Sequence, residues 1–350
     1  MSEKIDLRRR HFLSTSALTL AAMQLGSTGC AEAGPSKIRA ADIPPVQPGT
    51  NTSFGPLKQI NAGLLSVGYA EAGPSSGPPV ILLHGWPYDI HSYVDVAPLL
   101  AAAGYRVLIP HLRGHGTTTF LSSTTFRNGQ QSVVALDTIA FMDALGIQKA
   151  ILGGYDWGTR TVNIIAALWP ERCKGMVAVN GYAINNLEQN KIPLSPKAEH
   201  GWWYQYYFAT ERGKAGYEKN RRDLAKLVWQ SNSPKFHFDD ATFVRTAASF
   251  DNPDHVPVVI HHYRWRQSLA SGEPQYEDLE KRLAASPVIS VPTITLDGDS
   301  HGRVPASDGS SEAHMFSGKR THRIVKGAGH NLPQETPQAF AQAVVDVDAY

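Results

Sequence analysis

The stretch Ile151-Leu152-Gly153-Gly154-Tyr155-Asp156-Trp157-Gly158-Thr159 constrains the fold more than any other part of this chain. An apolar run ending in Ala150-Ile151-Leu152 predicts a buried strand, and a helical pattern from Thr161 through Ala167 to Trp169 follows at once. Gly154 and Gly158 flank Asp156 across that junction. A strand-to-helix turn this short is so sharp that a Cβ at either glycine would strike neighbouring backbone. It also lifts its central side chain above the sheet, at the N-terminus of the next helix. The positive end of the helix dipole favours a carboxylate there, which makes Asp156 a candidate nucleophile. The competing role for Asp156 is an ordinary N-cap, since Asp is favoured before any helix.

The 350 residues are enough for one large or two medium domains with a substantial core. Hydrophobic content of 42% and charged content of 18% are globular values, and a formal net charge of +2 leaves no nucleic-acid footprint. No mature stretch is long and apolar enough to span a membrane, and two cysteines, Cys30 and Cys173, exclude a disulfide framework. At the N-terminus, Arg8-Arg9-Arg10-His11-Phe12-Leu13 resembles a twin-arginine export signal and precedes an apolar run from Ala17 to Leu25. Residues 1–33 are therefore expected to direct the chain to the periplasm or cell envelope, with cleavage after Ala31-Glu32-Ala33. Gly29-Cys30 also resembles a lipoprotein cleavage site, which Ser27 and Thr28 fit poorly. Residues 34–54, rich in Pro, Ala and Thr, read as a linker.

Beyond the linker, Leu64 to Ala72 reads as an early hairpin strand with its turn at Pro74-Ser75-Ser76-Gly77-Pro78-Pro79. Val80-Ile81-Leu82-Leu83 is wholly apolar, as a strand buried on both faces should be, and runs straight into His84-Gly85-Trp86-Pro87. Further strands are expected at Arg106–Pro110, Lys174–Asn180 (the sixth), Val291–Leu296 and His322–Val325, and helices at Val133–Leu145 and Pro337–Val347. Strand–helix alternation stops between residues 181 and 286, a segment helical in pattern and rich in Trp and Tyr. Strand–helix units on either side imply a mostly parallel, doubly wound sheet with its site at the carboxyl ends of the strands. Gly327-Ala328-Gly329-His330 then places His330 at the same edge as Asp156, after the last strand.

On these residues, the chain from Leu64 onward resembles the epoxide hydrolases of the α/β-hydrolase superfamily and, more distantly, the haloalkane dehalogenases. The resemblance implies an α/β-hydrolase core (55–180 and 287–350) and an inserted helical cap (181–286). It also implies an Asp156 alkyl-enzyme ester that His330-activated water hydrolyses. The amides of Trp86 and Trp157 would form the oxyanion hole. His84 and the loop from His111 to Gly116 would be structural. Tyr204-Gln205-Tyr206-Tyr207-Phe208 and Tyr263-Arg264 match the segments that supply two proton-donating tyrosines, which points to Tyr204 and Tyr263; Tyr206 and Tyr207 would pack the cap. The chain departs from the family at the catalytic acid. Where Gly-x-x-Asp is usual it reads Gly298-Asp299-Ser300-His301, and Asn180 occupies the other acid position. Asp299, with Asp297 beside it, is the expected substitute, and His301 is expected to tolerate Ala. The substrate would be a small apolar epoxide or organohalide, with no cofactor and no metal. The alternatives are a dehalogenase using the same Asp156 and a non-catalytic ligand-binding protein on this scaffold.

Overall fold

The structure, a computed structural model, describes residues 47–49 and 51–350. The export segment expected at 1–33, Cys30 and most of the linker lie outside the described residues. The strands are β1 (Lys58–Ala62), β2 (Leu65–Ala72), β3 (Pro79–Leu83), β4 (Arg106–Pro110), β5 (Thr119–Phe120), β6 (Ala150–Gly154), β7 (Cys173–Val179), β8 (Thr293–Gly298) and β9 (Arg320–Val325). They form one sheet in the order β1-β2-β4-β3-β6-β7-β8-β9, with β5 paired to β2. The pairs β1–β2, β2–β4 and β2–β5 are antiparallel, and every pair from β4 to β9 is parallel. Three helices accompany the first half of the sheet: α1 (Val96–Ala102), α2 (Gln131–Ala144) and α3 (Trp157–Leu168). Six lie between β7 and β8: α4 (Pro196–Gly201), α5 (Trp203–Ala209), α6 (Glu211–Asn232), α7 (Asp240–Ala247), α8 (His255–Arg266) and α9 (Glu277–Ala284). The chain ends in α10 (Leu332–Glu335) and α11 (Pro337–Asp348).

The parallel strands lack alternation because both faces of the sheet are covered. Ile81 and Leu83 of β3 join a core layer with Phe141 and Met142 of α2 and Val162 and Ile165 of α3. Val80 and Leu82 join the opposite layer with Leu100 of α1 and Phe340 and Val344 of α11. Each of the four β3 side chains is fully buried and stabilises the fold by about 1.5–3 kcal/mol. The hairpin differs from expectation. Leu65–Ala72 pairs back onto β1 across Gly63, not forward across Pro74–Pro79, and β3 instead runs parallel to β4 and β6. The sequence Lys-Gln-Ile-Asn-Ala of β1 concealed this, because only Ile60 and Ala62 turn toward the core and the other three side chains are exposed.

In-register pairing aligns the ends of the parallel strands: Leu83 lies beside Gly154, and Gly298 beside Val325. The loops after β3, β6, β8 and β9 therefore open at one edge. They carry Trp86, Asp156, His301 and His330.

Candidate active site

Asp156 sits at φ 54°, ψ −121°, a left-handed conformation that non-glycine residues adopt at a cost. Close contacts enforce it. A Cβ on Gly154 would lie 2.3 Å from the Gly158 carbonyl carbon, and one on Gly158 would lie 1.9 Å from the Leu83 oxygen. Although Asp156 is the residue before α3, its side chain makes no capping hydrogen bond. The carboxylate points back over the β3 loop, where the Trp86 amide donates to Oδ1 at 2.9 Å. Gly85 leaves room for it, since a Cβ there would meet Oδ1 at 2.2 Å. Burial pushes the Asp156 carboxyl upward, but His330, Arg160 and the Trp86 amide outweigh it and hold the group well below the ordinary carboxylate range. The carboxylate is ionised, with Oδ1 fixed and Oδ2 facing His330 Nε2 at 3.3 Å.

His330 is buried, and the backbone of its loop is clamped by a residue absent from the sequence reading. Glu335 Oε2 accepts from Gly329 N at 2.6 Å, and Oε1 accepts from Asn331 N at 3.0 Å and from Ser233 Oγ at 2.6 Å. Ser233 Oγ in turn accepts from His330 N at 3.0 Å, tying the loop to the residue after α6. The only sequence signal was an acidic side chain in the short helix just beyond His330.

The expected acid is not beside His330. Exposed Asp299 turns away to accept from Ser300 Oγ and Gly327 N, each at 2.7 Å, and Asp297 accepts from Ser307 N at 2.8 Å. The Asp299 side chain caps its own loop because those donors are closer than the imidazole. His301 takes the place instead, with Nε2 2.9 Å from His330 Nδ1. The residue treated as dispensable is thus the one that touches the histidine.

The two cap tyrosines meet over Trp86. Tyr204 of α5 and Tyr263 of α8 are 3% and 2% exposed, with ring centroids 5.4 Å apart and 5.1 and 5.3 Å from the Trp86 ring. Arg264 fixes the pair by donating Nε to Phe208 O at 2.9 Å and Nη2 to Thr210 O at 3.1 Å, so α8 grips the end of α5. Burial, Tyr204 and Asp156 push the Tyr263 phenol well above its usual value, which keeps it protonated. Tyr207 is partly buried, but Tyr206 is 46% exposed and bonds Glu199 instead of packing the cap.

A family model described as the alpha/beta hydrolase fold matches residues 78–333. The chain belongs to the α/β-hydrolase fold family. It is an epoxide hydrolase-like enzyme of that family. Epoxide hydrolase A of Mycobacterium tuberculosis is 25% identical over 304 residues, covering 79% of this chain and 92% of that protein. The crystal structure of a candidate epoxide hydrolase from Klebsiella pneumoniae is 54% identical, with a TM-score of 0.82 over 84% of this chain and 97% of that one. A haloalkane dehalogenase variant from Bradyrhizobium elkanii, 20% identical with a TM-score of 0.67 over 84% and 96% of the two chains, shares the fold.

In this hydrolase His84 ties the loop after β3 to the loop after β4. His84 donates from Nδ1 to Gly85 O and accepts at Nε2 from Leu112 N, both at 3.1 Å, and burial first, then His115 and His111, keeps it neutral. Arg113, from the loop after β4, makes a two-pronged pair with Asp137 of α2 at 2.6 and 2.7 Å. The Trp86 indole N–H is also committed, since it donates to Tyr217 Oη at 2.7 Å. Tyr217 donates its own O–H to His255 Nε2 at 2.7 Å, and His255 Nδ1 donates to Gly114 O at 2.8 Å.

Proposed function

We propose that this hydrolase opens epoxides to vicinal diols through an Asp156 ester. The observation that carries the reading is the buried Tyr204–Tyr263 pair packed on Trp86, the residue whose amide holds the Asp156 carboxylate beside His330. Asp156 Oδ2 attacks an epoxide carbon, the carbon–oxygen bond of the ring breaks, and the departing alkoxide takes a proton from Tyr204 or Tyr263. Water then adds to the Asp156 carbonyl carbon with His330 as base. The Trp86 amide, already on Oδ1, and the Trp157 amide at the start of α3 stabilise the oxyanion. Collapse of that adduct passes the proton held by His330 to the departing alkoxide, releasing the diol, and the new carboxylic acid gives its proton to the phenolate, which restores the Asp156 carboxylate and the phenol. The aromatic cluster of Trp86, Tyr204, Phe208 and Tyr263 beside the Asp156 loop suits a small apolar substrate.

Halide release finds less support. Dehalogenases in this fold cradle the halide with indole N–H groups and an Asn or Glu after the His-Gly pair; here that position is Trp86, whose N–H already serves Tyr217, which leaves the unpartnered Trp157 indole N–H without a second donor from that loop. We test the reading with epoxides beside haloalkanes on one preparation, assaying diol and halide. We expect diol alone, and we expect His330→Ala to accumulate an ester on the peptide carrying Asp156. Halide without diol would overturn the assignment, and turnover of neither class would favour a ligand-binding protein. The twin-arginine-type start supports an exported enzyme; replacing Arg8, Arg9 and Arg10 with Lys should retain it in the cytoplasm.

A further inference from the structure

We infer that His301 is a positioning residue that holds His330 in the tautomer unable to take a proton from water, making hydrolysis of the Asp156 ester the slow step of turnover. The inference rests on the ester mechanism proposed above, but its first premise is geometric. His301 Nδ1 accepts backbone N–H bonds from Arg303 at 3.1 Å and Val304 at 3.3 Å. A nitrogen that accepts cannot carry a hydrogen, so the one proton of a neutral His301 is on Nε2. His301 is neutral: burial, with the Arg303 guanidinium beside it, holds the imidazole well below its ordinary value. Its Nε2–H therefore donates across 2.9 Å to His330 Nδ1. His330 Nδ1 must then present a lone pair, and the His330 proton resides on Nε2, which lies 3.3 Å from Asp156 Oδ2 without a hydrogen bond to it.

That arrangement treats the two half-reactions differently. Alkylation needs an ionised Asp156 and a protonated phenol, and neither depends on the His330 tautomer. Hydrolysis needs a lone pair on His330 Nε2, and afterwards an imidazolium whose Nδ1–H has an acceptor. Facing Nδ1 with an N–H denies both. Freeing His330 requires His301 to abandon its bonds to Arg303 and Val304 and turn its ring. The groups around the pair do not rescue the base: Arg303 adds positive charge, and Glu335 spends its oxygens on Gly329, Asn331 and Ser233. A carboxylate at position 301 would accept the Nδ1–H and reverse the lock.

Ring-nitrogen NMR of the resting full-length protein tests the premise without substrate. His330 should show the Nε2–H tautomer, and the Nδ1–H tautomer would overturn the inference. Intact-protein mass spectrometry during turnover of styrene oxide tests the consequence. The unaltered protein should be mostly esterified at steady state. His301→Asp and His301→Glu, the second matching the reach of the imidazole, should hydrolyse the ester at least about tenfold faster, with alkylation within about twofold. Elsewhere a wrong tautomer costs about 10⁴-fold in rate, so tenfold is the least relief expected. An ester-free enzyme at steady state, or unchanged hydrolysis in carboxylate variants that alkylate normally, would overturn the role of His301. Absence of any ester in the His330→Ala variant would instead sink the ester mechanism, while the NMR result would still decide the tautomer.

Discussion

Replacing Glu335 should cost both stability and the second half-reaction. The carboxylate accepts three hydrogen bonds, from Gly329 N, Asn331 N and Ser233 Oγ. Bonds to a charged acceptor contribute roughly 1.5–3 kcal/mol each, so the low end gives about 4.5 kcal/mol for the set. Burial raises the Glu335 pKa and so takes part of this back, leaving an expected loss of about 3 kcal/mol for Glu335→Ala. Glu335→Gln keeps an oxygen for Ser233 and Asn331 but turns an amide toward the Gly329 N–H, and should lose about half as much. The loss would be read as a shift in urea midpoint at constant slope. Ester hydrolysis should slow with it, because His330 N hangs from Ser233 Oγ, which Glu335 orients. Alkylation should persist, since Asp156 is held by a different loop. A stability loss under about 1 kcal/mol for Glu335→Ala would refute the clamp.

Tyr204→Phe and Tyr263→Phe should each slow alkylation by about tenfold in single-turnover assays. The double variant should lose about 10²-fold or more, because general acids typically contribute 10²–10⁴-fold and each phenol covers for the other; full activity in the double variant would remove the epoxide assignment. Gly85→Ala would place a Cβ 2.2 Å from Asp156 Oδ1, so ester formation should fall below detection by peptide mass spectrometry while the far-ultraviolet circular dichroism is kept. Asp156 titrates below its ordinary value, so its ionised form contributes stability above the unfolded pKa and loses it only as pH falls through the depressed folded value. The alkylation rate should therefore be flat from pH 7 down to about 5, and an acid limb centred near 4–5 would contradict the depressed pKa.

The sequence displayed most of the architecture because its strongest constraints are local. Two glycines around Asp156 permit one sharp turn, and an unbroken run such as Val80–Leu83 is compatible with a sheet covered on both faces. His330 was legible from chain order, and Tyr204 and Tyr263 from their neighbours in the helices that carry them. The errors arose where a side chain's role is set by donors distant in the chain or on the backbone. Asp299 looked suitable by charge, yet Gly327 N and Ser300 Oγ capture it. His301 looked unsuitable, yet the Arg303 and Val304 amides decide which of its nitrogens is the donor. Glu335 acts only through the loop it folds around. The edge strand β1 turns only Ile60 and Ala62 inward, too short an alternation to reveal its pairing.

In the proposed mechanism Asp156, not water, attacks the epoxide. A single turnover with enzyme in excess, run in water labelled with heavy oxygen, tests it most directly. In that proposed mechanism water enters at the Asp156 carbonyl carbon, so the label should appear in the peptide carrying Asp156 and the first diol released should be unlabelled. A labelled diol beside an unlabelled Asp156 peptide would contradict the account.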